Sequence, residues 1–181
     1  MARALRLPNL LWSSLWLLCC SGGAAQAAGP VEEPDLKAAY VFNFIQFVEW
    51  PDSAAAPEGE WPVCVSPFSP LKRALAALEG RPVRKGRVLR VRLLEPGDLR
   101  QCRVLILNGP ETEPALRALR ALPAGHGILT VADEGVADHP DIAIALGRQA
   151  QRIVFAVNTD AAGRAGLTVS SRLLRLAKAA P

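Results

Sequence analysis

Residues 34–51 read PDLKAAYVFNFIQFVEWP, and this stretch decides the fold of the chain. Asp35 can cap a first helical turn and Pro51 cannot continue a helix, so the stretch predicts one helix from Leu36 to Glu49. At 1.5 Å per residue this helix is about 21 Å long, too short for the roughly 30 Å hydrocarbon core of a bilayer. We therefore expect the helix to pack on protein.

The predicted helix is apolar over most of its circumference. Its one polar stripe holds Asn43, Gln46 and Glu49. Two interpretations of the aromatic side chains stay open: they form core, or part of the aromatic face binds a partner or ligand, because aromatic anchors dominate interface energetics. The candidate contact residues are Tyr40, Phe44, Phe47 and Trp50.

The same stretch resembles the opening helix of the YfiR family of periplasmic proteins. The matching segments are AAYVFNFIQFVEWP at 38–51, VFAVN at 154–158 and AGLTVSSRLLRLA at 165–177. The resemblance therefore spans nearly the whole chain after its first 27 residues. Members of this family bind the periplasmic sensor part of an inner-membrane diguanylate cyclase of the YfiN type and hold it inactive, without catalysing a reaction.

The resemblance implies a periplasmic regulatory protein that represses such a cyclase and thereby lowers cyclic di-GMP and biofilm formation. It also implies an outer-membrane lipoprotein of the YfiB type as a second partner, and it leaves open whether the active form is a homodimer. A periplasmic small-ligand-binding module acting on another membrane receptor, such as a sensor kinase, is the alternative. An enzyme is the third hypothesis.

The first 27 residues predict a secretory signal peptide, and hence an exported protein, which the resemblance implies is periplasmic. A positive head with Arg3 and Arg6, an apolar run over 10–20 and a small-x-small cleavage site ending at Ala27 all have the expected order. A lipoprotein signal would need small residues directly before a cysteine, where leucines stand instead. Residues 28–181 are expected to form one α/β domain with a sizeable core.

Cleavage would leave two of the four cysteines, Cys64 and Cys102. In an oxidising compartment an even pair forms a disulfide more often than two free thiols, and a Rossmann-like strand order can make their strands neighbours. Both cysteines match family positions, whereas a second family pair is missing, so redox control through that pair is not implied. Removing the two leader arginines also lowers the formal charge from +4 to +2, which predicts no polyanion partner.

From Trp61 onward the pattern alternates between strand and helix. Charged residues interrupt 88–94, which predicts an edge strand, whereas the uninterrupted 104–107 predicts a central one. Strands are predicted over 61–66, 88–94, 104–107 and 128–131, followed by a hairpin of 142–146 with 153–157. Helices are predicted after Ser69-Pro70 and over 110–122, then a short helix through Arg164 capped within Asn158-Thr159-Asp160, and a last helix capped by Ser170 or Ser171. The result is a three-layer, Rossmann-like α/β sandwich with a mostly parallel sheet and a C-terminal antiparallel hairpin.

The sequence offers no catalytic constellation. The turn SPFSP at 66–70 lacks the glycines of a dinucleotide site, and neither a P-loop nor a nucleophile elbow is present. His126 and His139 both sit in predicted loops, which gives poor support to a His-activated nucleophile. The acidic run over 133–141 matches neither an EF-hand nor a zinc site, which favours a solvated loop. We expect no enzyme activity, no cofactor and no metal.

One basic cluster precedes and enters the predicted edge strand. Solvation and edge protection explain it, and attraction to an acidic partner surface or anionic lipid headgroups is the alternative. It lacks the interleaved aromatic residues of a single-stranded nucleic-acid site, so no nucleic acid is expected to bind. Its members are Arg81, Arg84, Lys85, Arg87, Arg90 and Arg92.

Overall fold

A computed structural model describes residues 31–51, 58–133 and 139–178 of the chain. The predicted signal peptide and the domain boundary at residue 28 lie outside these residues. In chain order the elements are α1 (Glu33–Phe47), β1 (Val48–Glu49), β2 (Glu60–Val65), α2 (Leu71–Ala76), β3 (Val88–Leu93), β4 (Val104–Leu107), α3 (Thr112–Arg120), β5 (Leu129–Asp133), β6 (Ile144–Gln149), β7 (Arg152–Val157), α4 (Thr159–Arg164), β8 (Thr168–Val169) and α5 (Ser171–Lys178). None of the described helices has the length and apolar composition of a membrane span.

Six strands form one mixed sheet in the order β3-β2-β4-β5-β6-β7. The strands from β3 to β6 run parallel, and β7 pairs antiparallel with β6 as the predicted hairpin. The chain moves from β2 outward to β3 and then crosses back past β2 to β4, which is the order of a doubly wound, Rossmann-like sheet. The predicted fold class, the edge position of β3 and the central position of β4 are confirmed.

Burial along each strand follows its place in the sheet. All four residues of β4 are buried, whereas β3 is mostly half-buried. Arg90 and Arg92 of β3 form ion pairs with Glu60 of β2, and Arg90 also pairs with Glu79 at 2.6 Å. These two arginines of the basic cluster therefore carry out the predicted edge protection with carboxylate partners.

Two hydrophobic cores cover the two faces of the sheet. The larger core joins one face to α1, α2, α4 and α5, and it includes Val63 and Val65 of β2. The smaller core joins the other face to α3 and to the 3-10 turn Pro96–Gln101, and it includes Cys64 and Cys102. Alternate residues of β2 thus point to opposite layers, as the pleat requires. The arrangement is a three-layer sandwich.

The ends of α1 differ from the predicted bounds of Leu36 and Glu49. The helix begins at Glu33, because Pro34 is tolerated in a first turn, and Asp35 lies within that turn rather than capping it. It ends at Phe47, before the proline signal, because Val48 and Glu49 pair antiparallel with Val169 and Thr168. A two-stranded ribbon therefore replaces the last predicted turn of helix.

The predicted caps of the last two helices are present. The Asn158 side chain accepts hydrogen bonds from the backbone N–H groups of Asp160 and Ala161 at 3.1 and 3.0 Å. Ser170 Oγ accepts from the N–H of Leu173 at 3.3 Å, which decides between the two candidate serines. Each cap satisfies helix donors that would otherwise lack a partner.

Candidate partner-binding surface

α1 buries one continuous stripe against the larger core. Val41, Phe44, Ile45 and the following Val48 have no solvent exposure, and Ala38 has almost none. At 100° per residue these positions share one side of the helix. This side therefore holds the helix on the sheet and leaves no room for a partner.

The opposite side of α1 faces solvent. Leu36, Ala39, Asn43 and Gln46 are exposed, and Leu36 retains 40% of its surface. The predicted polar stripe is confirmed as the exposed one. Because an apolar side chain stands beside amides here, the exposed side has the mixed character of a protein contact surface.

Tyr40 and Phe44 form an aromatic cluster with Phe155 of β7. The ring centroids of Phe44 and Phe155 lie 5.1 Å apart, and those of Tyr40 and Phe155 lie 5.8 Å apart. Tyr40 is half-buried at the rim of the exposed side, whereas Phe44 is completely buried. Phe44 therefore belongs to the core, and its ring cannot make the predicted contact with a partner.

Two half-buried phenylalanines border the exposed side of α1, each beneath an arginine. The guanidinium of Arg172 from α5 lies 5.9 Å from the ring centroid of Phe47. Arg81 lies 5.1 Å from the ring centroid of Phe42. Phe42 was not among the predicted contact residues, although it lies one helical turn before the exposed Gln46 on the same side. Cation–π contacts of this kind leave the arginines able to pair with acidic groups as well.

Trp50 lies beyond the end of α1 and packs against a different part of the chain from Tyr40 and Phe47. Its ring meets Trp61 of β2 edge to face, with centroids 4.8 Å apart. The indole N–H of each ring is buried without a hydrogen-bond acceptor in the described part of the chain. Of the four predicted contact residues, the structure thus brings Tyr40 and Phe47 to the rim of one surface, and their binding to a partner stays a prediction.

A buried ion pair joins the first half of α1 to the carboxyl end of β5. Lys37 Nζ lies 2.7 Å from Asp133 Oδ1, and both side chains are at most 4% exposed. Lys37 also pairs with Glu33 at 2.8 Å, and Arg148 contacts the same carboxylate at 3.1 Å. The hydrogen bond from Lys37, together with the charge of Arg148, lowers the pKa of Glu33.

Asp133 corrects the expectation of a wholly solvated acidic loop over 133–141. It ends the buried strand β5 and is neutralised by Lys37, so it fixes α1 on the sheet. At the other end of this loop, Asp141 pairs with Arg120 at 2.9 Å and lies 3.7 Å from Arg164. Residues 134–138, including two of the acidic residues of the run, lie outside the described part of the chain. No group of three or more potential metal ligands occurs among the described residues.

The predicted disulfide is present on the other face of the sheet from α1. Cys64 of β2 is bonded to Cys102, which directly precedes the 103–107 segment containing β4. Their Cα atoms lie 5.7 Å apart, within the range for disulfides. Both residues are buried, so the bond crosslinks two adjacent central strands inside the smaller core.

One known protein family has a sequence model that matches nearly the same residues as the structure describes. The sequence model of a family described as YfiR/HmsC-like matches residues 34–178, from the first turn of α1 to the end of α5. No curated protein matches the chain. The family match therefore covers all the elements that build both cores and the surface of α1.

Proposed function

Because the chain belongs to the YfiR/HmsC-like family, whose members are periplasmic regulators in cyclic di-GMP signalling, we propose that it binds an inner-membrane diguanylate cyclase and represses it. The contact is made with the periplasmic domain of the cyclase. Repression lowers cyclic di-GMP and, with it, biofilm formation. The observation that carries the proposal is the family match over residues 34–178.

The surface used for this contact is the exposed side of α1 together with its aromatic rims. Leu36 and the half-buried Tyr40, Phe42 and Phe47 supply apolar area, and Asn43 supplies hydrogen-bonding groups between them. Aromatic residues at the centre of an interface commonly dominate its affinity. Arg81 and Arg172 lie over two of the rings and form the margin of this surface.

The chain acts by binding and does not catalyse a reaction. Support comes from the regulatory character of the family and from the ion pairs that polar residues form within the fold. The buried pair of Lys37 with Asp133 and the loop pairs of Asp141 stabilise the fold. A lipoprotein of the YfiB type as second partner and a homodimer stay predictions of the same family relationship.

Calorimetric titration of the chain with the purified periplasmic domain of a diguanylate cyclase tests the contact. The informative variant is Asn43→Arg, because Asn43 is exposed at the middle of the surface and a long charged side chain there would separate the two proteins. The matched control is Ala121→Arg, which adds the same side chain at an exposed position at the end of α3, on the other face of the sheet.

We expect Asn43→Arg to weaken binding by about tenfold or more, equivalent to at least about 1.4 kcal/mol, and Ala121→Arg to leave it unchanged. The melting temperatures of both variants should stay near that of the wild type, since neither position is buried. Equal binding by the two variants would remove α1 from the interface. Failure of the wild-type chain to bind any such domain would favour the small-ligand-binding alternative.

A further inference from the structure

A small cavity lies at the edge of the sheet where the central strands begin. Its volume is about 70 Å³. Its lining includes Trp61 from the start of β2, Arg103 from directly before β4 and Trp50 from directly after the ribbon strand β1. The turn that precedes β3 completes the lining with Arg84, Lys85 and Arg87.

The polar side chains that line this cavity are hydrogen-bond donors. Arginine, lysine and indole groups have N–H donors and no acceptor. Three of these donors are buried and have no acceptor in the described part of the chain: Trp50 Nε1, Trp61 Nε1 and Arg103 Nε. Since most buried donors in proteins are hydrogen-bonded, three orphans around one cavity indicate that a group with acceptor atoms belongs there.

The described lining of the cavity is positively charged. Arg103 is only 4% exposed, and burial together with the charge of Arg87 lowers its pKa to about 10, so it stays protonated at neutral pH. No carboxylate lines the cavity among the residues that the structure describes. Of the acidic residues that adjoin the lining in sequence, Glu60 is paired with Arg90 and Arg92 at the outer edge of the sheet and Glu49 is exposed, while Asp52 lies outside the described residues.

Arg84 and Lys85 belong to the turn that lines the cavity. Arg84 donates from Nη1 to the carbonyl oxygen of Val48, which ties this turn to the end of α1. Lys85 has a left-handed backbone with φ of 52°, a conformation that non-glycine residues adopt rarely and that occurs often at ligand sites. Three of the four cluster members outside strand β3, Arg84, Lys85 and Arg87, therefore line the cavity together with Arg103.

We propose that this cavity binds one tetrahedral oxyanion of the phosphate or sulfate type. Such an anion has acceptor oxygens in several directions, which fits donors supplied by separate segments of the chain better than a planar carboxylate does. The bound anion would neutralise Arg103 and Arg87 and accept from both indole N–H groups. The proposal is independent of the cyclase contact, although Trp50 connects the site to the end of α1.

The size of the cavity restricts the ligand. About 70 Å³ holds a few waters or one small anion, and is too small for a whole nucleotide. The phosphate group can come from the free ion or from the headgroup of a phospholipid whose remainder stays outside. The chemistry of recognition is the same in the two cases, and the two sources differ in the assay that detects them.

Calorimetry in buffer free of phosphate and sulfate tests the site on the full chain. Sodium phosphate and sodium sulfate are the probes, and sodium chloride at equal ionic strength is the control for screening. We expect one bound oxyanion per chain and a melting temperature that rises with its concentration. A parallel arm measures co-sedimentation with phosphatidylglycerol vesicles, with and without free phosphate as competitor.

Two cavity variants and one matched control make the result specific. Arg103→Met and the half-buried Arg87→Gln should each weaken oxyanion binding by about tenfold or more, since a charged hydrogen bond is lost. Arg103→Met should also raise the melting temperature in phosphate-free buffer, because it removes a buried charge without a partner. Arg90→Met removes an arginine of the same cluster that lies outside the cavity, and it should bind like the wild type.

Each outcome decides the proposal. Binding of free phosphate that is lost in Arg103→Met supports the site and identifies the free ion as ligand. Vesicle binding that Arg103→Met loses and Arg90→Met keeps, without affinity for free phosphate, supports the same site with a lipid headgroup. Absence of binding in both assays, or equal affinities for wild type, Arg103→Met and Arg87→Gln, would overturn it.

Discussion

His126 carries a hydrogen bond that depends on its protonation state. Its Nδ1 accepts from the backbone N–H of Ile128 at 3.1 Å, which requires that this nitrogen carry no proton. Burial lowers the pKa of His126 from its ordinary value of 6.5. The neutral ring therefore belongs to the folded state, and it holds the turn that leads into β5.

This residue predicts a loss of stability in mild acid. Since the unfolded chain takes up the proton at a higher pH than the folded one, this contribution is complete above about pH 6.5 and is lost as the pH falls through the lowered folded-state pKa. His126→Asn keeps an acceptor for a backbone N–H two residues on but does not titrate. We expect equal unfolding free energies at pH 8 and a smaller decrease for the variant between pH 7 and pH 5, measured by urea denaturation. Parallel curves for the two proteins would contradict the assignment.

The burial of two charged residues, Asp133 and Arg103, could not be predicted from the sequence. Asp133 was expected to be solvated, yet it is buried because Lys37, 96 residues away, supplies its counter-charge. Arg103 gave no signal of its own, since its burial depends on the pairing of β2 with β4. Charge patterns along the chain identify basic and acidic segments, whereas the partner of each charge is decided by long-range packing.

At the scale of elements, the strands and helices were predictable because their signals are local. Alternating and 3.6-residue patterns, together with the caps at Asn158 and Ser170, identified most elements and the confirmed hairpin. The end of α1 was not predictable in this way, because Val48 leaves the helix to pair with Val169 near the other end of the chain. Long-range packing also decides which aromatic side chains of α1 are buried. The sequence pattern therefore could not distinguish core from contact residues, and Phe44 belongs to the core.

The turn between α4 and β8 packs directly on the loop before β5. Gly166 has φ of +74°, and a Cβ added there would stand 3.0 Å from Gly125 Cα. The same loop is fixed by hydrogen bonds from the N–H groups of Gly125 and Gly127 to the carbonyl oxygens of Arg164 and Ala165. A side chain at Gly166 would therefore separate two segments of backbone that cannot easily move.

We expect Gly166→Ala to destabilise the fold by at least about 1 kcal/mol more than Gly80→Ala. Gly80 has the same backbone conformation, with φ of +75°, but an added Cβ would meet nothing within 4 Å. Its replacement should cost only the left-handed strain, about 1 to 2 kcal/mol. Chemical denaturation of the two variants compares them, and equal losses would show that the contact with Gly125 is not tight.

For the whole molecule, the disulfide Cys64–Cys102 closes 38 sequence positions between two central strands. The double variant Cys64→Ala/Cys102→Ala should lose up to about 4 kcal/mol of unfolding free energy, the entropy that the crosslink removes from the unfolded chain. Because the bond lies in the core opposite α1, the folded variant should still bind the cyclase domain. Two free thiols in unfolded, unreduced wild type would contradict the bond, and lost cyclase binding by the folded variant would contradict the separation of the two faces.

The whole molecule belongs to a family of periplasmic regulators in cyclic di-GMP signalling, and its proposed contact surface is the exposed side of α1. The most direct test measures cyclic di-GMP in cells that produce a diguanylate cyclase with a periplasmic sensor domain, with and without this chain. We expect the wild-type chain and Ala121→Arg to lower cyclic di-GMP, while Asn43→Arg, exported in equal amount, does not. An unchanged level with the wild-type chain, or an equal decrease with all three proteins, would contradict it.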